Sequence, residues 1–278
     1  MCRLYGFRAV EPTKVECTLV HAQNALLIQS RTDLRGKAHA DGWGVAFYED
    51  GLPTIERRET PAYQDVHFSV AAERVYARTV IAHVRRATVG GPSLVNTHPF
   101  SHGCWLFTHN GTVRGFDAIR DQLQRQTDDC LLAKGRGTTD SETVFYWLLS
   151  RFREVGLDPS RPCSNLPRLV ELIQEGTREL DAMSRGTGAQ KPPRLNFMLT
   201  DGAVLVASRW NQTLHWVHRD GIHDCEICGI PHVHHQPGAD YRAIVVASEP
   251  ISDEPWEEVP NRSLVAVDGD VGVELHPI

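Results

Sequence analysis

The stretch Leu195–Ala207, LNFMLTDGAVLVA, consists of two apolar runs on either side of an Asp-Gly pair. Asp-Gly between runs of strand-forming residues is a hairpin signal, because glycine adopts the positive φ of a tight turn without steric cost. The pair Asp201-Gly202 therefore predicts a two-residue hairpin and, with it, an antiparallel sheet.

Strand-like runs rich in β-branched and aromatic residues continue on both sides of this hairpin. They are Gly44–Tyr48, Thr79–Val84, Cys104–Thr108, Leu214–His218, Arg242–Ser248, Leu264–Val267 and Val271–Leu275. Helical periodicity is clearest over Ser141–Val155, and further helices are predicted at Val66–Ala77, Phe116–Leu132 and Leu166–Met183. Because the strands are clustered and the helices lie mainly in the middle, the pattern indicates an α+β fold in one domain, residues 1–278.

The composition excludes several classes of protein. The chain has 278 residues, of which 41% are hydrophobic, and a net charge of −6, so it can form a core and does not favour nucleic acid or anionic membranes. No run approaches the ~18 apolar residues of a membrane-spanning helix. With no apolar leader and an odd set of seven cysteines, the sequence predicts a soluble, cytoplasmic protein with reduced thiols.

Cys2 directly follows the initiator methionine, which is usually removed when the next residue is small. Removal would leave Cys2 with an α-amine of pKa about 7.7–8.0 beside a thiol of pKa about 8.5, so that one residue would carry both nucleophile and base. Taken alone, Cys2 is better explained as a small residue in a first strand.

Three downstream segments change that interpretation. Arg85 follows a strand-like run, and its planar guanidinium suits bidentate binding of a carboxylate. Asn110 and Gly111 follow another run and offer an amide and an N–H for a developing oxyanion. Asp140 begins a predicted helix and offers an acid for an ammonium group, although Asp140 or Ser141 also suits an N-cap. A basic pair, a turn and a cap explain each segment singly, but together they match cleavage of the γ-amide of a free amino acid.

These motifs occur in an order that resembles the class II glutamine amidotransferases, which are N-terminal nucleophile (Ntn) hydrolases. The resemblance covers Met1-Cys2-Arg3, His83–Thr88, Asn96–Phe100, His109–Gly111 and Thr139–Glu142. It is greatest with stand-alone members that lack a fused synthase domain, and His39–Gly44 and Ala247–Pro250 add to it. The resemblance implies a four-layer αββα sandwich of two antiparallel sheets.

The resemblance also implies the catalytic roles. Cys2 would attack the γ-carboxamide with its own α-amine as base, and Asn110 and the Gly111 N–H would hold the oxyanion. The chemistry would proceed through a γ-glutamyl thioester on Cys2 and would need no cofactor.

The substrate-binding roles follow from the same resemblance. Arg85 and Thr88 would bind the α-carboxylate of glutamine or of a γ-glutamyl small molecule, Asp140 its α-ammonium, and His98 would shape the pocket wall. Arg86 departs from the pattern, because synthase-fused relatives usually carry Trp there, and this concerns the pocket wall more than the chemistry.

Residues 223–235, HDCEICGIPHVHH, resemble a zinc knuckle. Cys225 and Cys228 are spaced as a Cys-x-x-Cys pair followed by glycine, and His232, His234 and His235 offer imidazoles. Alternation places His232 and His234 on one side of an extended segment, so the predicted ligands of a structural zinc are these two and the two cysteines. A polar loop or a redox-active dithiol remains as the alternative. The other cysteines, Cys17, Cys104, Cys130 and Cys163, are predicted to be ordinary small apolar residues.

Three functions remain open at the level of sequence. The chain is either a glutaminase subunit that supplies ammonia to a separate synthase, or a self-sufficient hydrolase of a γ-glutamyl peptide or amine. The third is a metal-stabilised interaction protein on a catalytically silent Ntn scaffold, in which a retained Met1 blocks Cys2.

Overall fold

The first strand, β1 (Arg3–Lys14), is twelve residues long and lies inside a seven-stranded sheet. In this computed structural model, which describes residues 2–233 and 240–278, β1 pairs in antiparallel fashion with β4 (Tyr76–Val84) and β10 (Arg242–Ala247). The register places Arg3 opposite Val84, so that Cys2 lies beside the end of β4.

Two antiparallel sheets form the centre of the fold. The other strands of the first sheet are β2 (Trp43–Glu49), β3 (Leu52–Arg58), β9 (His215–Asp220) and β11 (Glu257–Glu258), in the order β11-β9-β10-β1-β4-β2-β3. The strands of the second sheet are β5 (Phe100–His102), β6 (Trp105–Thr112), β7 (Arg194–Thr200), β8 (Leu205–Arg209), β12 (Ser263–Val267) and β13 (Val273–Pro277), in the order β13-β12-β8-β7-β6-β5.

Helices cover the outer faces of both sheets. They are α1 (Leu26–Arg31), α2 (Val66–Arg74), α3 (Phe116–Arg125), α4 (Asp129–Leu132), α5 (Asp140–Ser150) and α6 (Leu166–Gly186). Three separate apolar clusters result, one between the sheets and one beneath each helical layer. The predicted four-layer αββα sandwich is therefore confirmed.

Alternation along β1 divides its side chains between two of these clusters. Leu4 packs between the sheets, whereas Tyr5 and Phe7 pack beneath α1 and α2. At Gly6 the opposite sheet approaches so closely that a Cβ atom would lie 2.5 Å from the Met198 sulfur. Glycine here lets the two sheets meet at the strand that follows Cys2.

The predicted hairpin at Asp201-Gly202 is confirmed, but its loop has four residues rather than two. Thr200 pairs with Leu205, and the Asp201 carboxylate accepts hydrogen bonds from the N–H groups of Ala203 and Val204 at 2.8 and 2.9 Å. An aspartate that bonds to the backbone two and three residues later stabilises this wider turn.

Other differences concern the ends of elements. The helix predicted over Phe116–Leu132 is interrupted after Arg125, and α4 begins at Asp129 after a non-helical Asp128. The helix predicted at Val66–Ala77 ends at Arg74, and β4 begins at Tyr76. Within 2–233 and 240–278, no helix has the length and apolar character needed to span a membrane.

Candidate active site

Cys2 is buried against the backbone that follows β4. Its sulfur accepts a hydrogen bond from the Arg86 N–H at 3.5 Å and lies 3.6 Å from the Arg86 carbonyl oxygen. Burial raises the pKa of the Cys2 thiol, while the Arg86 N–H and the charge of Arg85 act in the opposite direction. A thiol with a raised pKa needs a neighbouring base before it becomes a nucleophile.

A buried ion cluster fixes the backbone of Cys2. Arg3 Nη2 lies 2.5 Å from an Asp33 carboxylate oxygen and 2.6 Å from one of Glu249, and Arg3 Nη1 donates to the Cys2 carbonyl at 2.9 Å. His39 Nε2 lies 3.2 Å from Asp33, and burial lowers the pKa of His39 to about 3. Sequence reasoning did not find Asp33, which has no motif of its own.

Asn110, the predicted oxyanion residue on β6, is connected to β1 through Ser248. Asn110 Nδ2 lies 3.1 Å from Ser248 Oγ, which also accepts the Leu4 N–H at 2.9 Å. Among the described residues, the buried Oδ1 of Asn110 has no hydrogen-bond partner. Turning the amide by 180° would let the Ser248 hydroxyl donate to Oδ1 and would leave the NH₂ group available to an oxyanion.

Gly111, the second predicted oxyanion donor, is held where two strands approach each other closely. It pairs with Leu195 of β7, and a Cβ atom at this position would lie 1.9 Å from the Arg194 carbonyl oxygen and 2.3 Å from His109 Nε2. Only glycine fits at this position. The close packing against Arg194 and His109 therefore fixes the backbone next to Asn110.

The guanidinium of Arg85 is buried and bound to backbone carbonyls. Nη1 donates to Gly91 at 3.1 Å, and Nη2 donates to Val89 at 3.2 Å and to Gly90 at 3.0 Å. The sequence predicted a guanidinium suited to a carboxylate, but a buried charge needs acceptors and these carbonyls supply them here. A substrate carboxylate that binds Arg85 would replace some of these contacts, and the role of Arg85 stays a prediction.

The segment His39–Gly44 holds the Arg85 loop in place. The Arg85 N–H donates to the Gly42 carbonyl at 2.7 Å, and the Ala87 N–H donates to the Asp41 carboxylate at 2.7 Å. These two contacts connect the two motifs directly.

Asp140 and Thr88 both reach the end of β6. Asp140, the first residue of α5, accepts the Val113 N–H at 2.8 Å and the Ser141 N–H at 2.8 Å. The helix cap is Thr139, whose hydroxyl accepts the Glu142 N–H at 3.1 Å, so the capping alternative for Asp140 and Ser141 was wrong. Thr88 Oγ1 lies 2.8 Å from Thr112 Oγ1, which brings the Arg85 loop to the same strand end.

His98 lies inside the fold, beside His83 of β4. Its ring centroid is 4.2 Å from that of His83 and 4.6 Å from that of Phe100. Burial holds the pKa of His98 well below its usual range, so the ring is neutral. In the part of the chain that the structure describes, neither ring nitrogen has a hydrogen-bond partner. Its position as a wall of the substrate pocket stays a prediction.

A second cluster lies at the other end of β1. The predicted ligands Cys225, Cys228 and His232 come together there, with ligand atoms within 4.8 Å of one another, and Cys17 joins them. His234, the other predicted ligand, lies outside the described residues. Sequence reasoning treated Cys17 as an ordinary apolar residue, and no local signal marks it as a ligand.

The family model described as "Glutamine amidotransferases class-II" matches residues 1–276. The chain belongs to the class-II glutamine amidotransferases. It is accordingly an enzyme of the amidotransferase and hydrolase type.

Relatives of full length support membership of the family. A probable glutamine amidotransferase of Saccharomyces cerevisiae is 31% identical over 310 residues, covering 100% of this chain and 84% of the relative. A γ-glutamyl-hercynylcysteine sulfoxide hydrolase of Mycolicibacterium smegmatis is 31% identical over 285 residues and covers 100% of both chains. A class-II glutamine aminotransferase domain protein from Silicibacter pomeroyi has the same fold, with a TM-score of 0.64 at 20% identity, covering 100% of this chain and 99% of that one.

Proposed function

We propose that this class-II amidotransferase hydrolyses the γ-amide bond of a γ-glutamyl small molecule through a thioester on Cys2. Once Met1 is removed, the α-amine of Cys2 accepts the thiol proton and the sulfur attacks the γ-carbonyl carbon. The proton passes to the leaving amine as the C–N bond breaks. Water then attacks the thioester, releasing glutamate and restoring the thiol.

One observation carries this proposal, namely that hydrogen bonds join the residues of the four predicted roles across the two facing sheets. Ser248 connects the strand of Cys2 to Asn110, and Asp140 accepts an N–H of Val113 at the end of Asn110's strand. The nucleophile lies against Arg86, next to the predicted carboxylate ligand. Such preorganised donors and charges are what stabilise a tetrahedral oxyanion, an effect of about 3–4 kcal/mol per donor.

Hydrolysis without a partner is favoured over supply of ammonia to a synthase. The mycobacterial relative, named as a γ-glutamyl hydrolase, matches this chain over the full length of both. We infer that the substrate is likewise a γ-glutamyl amide whose amine part is larger than ammonia. Glutaminase activity coupled to a separate synthase is the second candidate, favoured by the name of the yeast relative. The cytoplasmic location stays a prediction.

The experiment is glutamate release by the Met1-processed protein from L-glutamine and from a panel of γ-glutamyl amides. Cys2→Ala is the test variant, and Cys130→Ala, at an exposed cysteine on α4, is the matched control. Faster release from bulkier γ-glutamyl amides, lost only in Cys2→Ala, supports the proposal. Release from glutamine alone would favour a glutaminase subunit that supplies ammonia to a separate synthase. No release from any substrate would contradict the proposal and favour the catalytically silent scaffold.

A further inference from the structure

Three cysteines and one histidine surround a common point far from Cys2 along β1. Cys17 begins a π-helical turn, Cys17–His21, soon after β1 ends, and the other three residues lie in the loop between β9 and β10. All four ligand atoms lie within 4.8 Å of one another. Cys228 Sγ and His232 Nε2 are 3.2 Å apart, close to the ~3.6 Å that a tetrahedral zinc with normal Zn–S and Zn–N bonds imposes.

The backbone between the two loop cysteines is folded to present sulfur atoms. The Gly229 N–H donates to the Cys225 carbonyl at 2.7 Å, and the Cys225 N–H donates to Ile230 at 3.1 Å. Gly229 adopts a φ of +72°, in the left-handed region that favours glycine. The Ile227 N–H lies 3.4 Å from Cys225 Sγ and donates to it, which stabilises a thiolate.

The histidine is brought to Cys17 by a backbone contact. The Lys14 N–H, on the last residue of β1, donates to the His232 carbonyl at 2.8 Å. This bond holds the β9–β10 loop against the start of the π-helical turn. Cys17 therefore completes the ligand set from a distant part of the sequence, where the sequence alone had pointed to His234.

The donor chemistry selects the metal. Three thiolates and one imidazole suit zinc, whereas calcium and magnesium prefer oxygen ligands. Four protein ligands leave no open position for a substrate or water, which is the pattern of a structural site. We propose that Cys17, Cys225, Cys228 and His232 bind one structural zinc ion that ties the β9–β10 loop to the turn after β1.

Elemental analysis of the protein purified without chelator tests the site. We expect one zinc per chain in the wild type and less than about a tenth of that in Cys228→Ser or Cys17→Ser. Cys130→Ser and His234→Ala should keep the full amount. A wild type that neither carries zinc nor takes it up, or a zinc content lost in His234→Ala but kept in Cys17→Ser, would overturn the proposal.

Two measurements on the wild type keep the test valid if the buried Cys17 does not tolerate serine. Replacing zinc by Co²⁺ should give thiolate-to-metal charge-transfer absorption of a three-thiolate site, and a two-thiolate intensity contradicts the role of Cys17. In alkylation followed by peptide mapping, the exposed Cys228 should react only after chelation, while the exposed Cys130 reacts throughout. A Cys225–Cys228 disulfide in freshly purified protein would assign the pair to redox chemistry and overturn the site.

Discussion

Buried histidines should make the free energy of unfolding fall steeply as the pH drops below neutral. His39, His83, His98 and His109 are each at most 3% exposed. Burial lowers the pKa of His39 to about 3 and holds those of His83 and His98 well below their usual range. The pKa of His109 is also lowered by burial, with the charge of Asp140 acting in the opposite direction.

Acid lowers the free energy of unfolding because the unfolded chain binds more protons than the folded protein. Below about pH 6.5 the unfolded chain takes up a proton on each imidazole, whereas the folded protein does not, so acid favours unfolding. The slope approaches about 1.4 kcal/mol per pH unit for each buried histidine only well below about pH 6.5, so each contributes about 1.4 kcal/mol in total between about pH 7.5 and about pH 5.5. From about pH 7.5 to about pH 5.5, His39, His83 and His98 together should lower the free energy of unfolding by about 4 kcal/mol. In the unfolded chain, carboxylates have pKa values of about 4 and stay mostly ionised over this range.

Urea unfolding followed by tryptophan fluorescence at constant ionic strength measures this loss. His98→Phe keeps an aromatic ring between His83 and Phe100, and it should reduce the pH-dependent loss by about 1.4 kcal/mol. His67→Gln, which replaces an exposed imidazole on α2, is the control. A stability that changes by less than about 1 kcal/mol over this range, or that rises on acidification, would refute the reasoning.

Three substitutions test the contacts around Cys2. Arg3→Met leaves its two carboxylate partners buried without a counter-charge and should lower the free energy of unfolding by about 3–5 kcal/mol; a loss below about 1 kcal/mol in urea unfolding contradicts this. Ser248→Ala removes the partner of the Asn110 amide and should lower kcat about ten- to a hundredfold with little change in KM; an effect on KM alone would show that Ser248 does not position the oxyanion donor. Asp140→Asn should raise KM about ten- to a hundredfold through the substrate ammonium, and an unchanged KM would remove that role.

The sequence predicted the strands that carry a continuous apolar pattern, but the strand-like runs that it indicated did not include β1. Arg242–Ala247 is almost entirely apolar and is buried between neighbours, so its pattern is visible in isolation. In β1, Arg3 and Arg8 interrupt the pattern. Their charges are satisfied by distant groups, among them the carbonyls of Ala203 and Gly269 for Arg8, and no local pattern shows these partners.

In the candidate site, too, the sequence did not reveal contacts between residues that lie far apart along the chain. Asn110, Gly111 and Asp140 belong to short motifs, so the sequence identified them as candidates. Ser248 lies 138 residues from Asn110 along the chain, and the two meet because the end of β10 faces β6 where the two sheets pack together. Cys17 was missed for the same reason, because its neighbours come from a loop near the other end of the chain.

Trapping the acyl-enzyme tests the central claim most directly. The processed protein is mixed with its preferred γ-glutamyl substrate, quenched in acid and digested for mass spectrometry. We expect the N-terminal peptide to begin at Cys2 and to carry one γ-glutamyl group, with no adduct in Cys2→Ala. Turnover without that adduct on Cys2, or an adduct on another residue, would contradict the account.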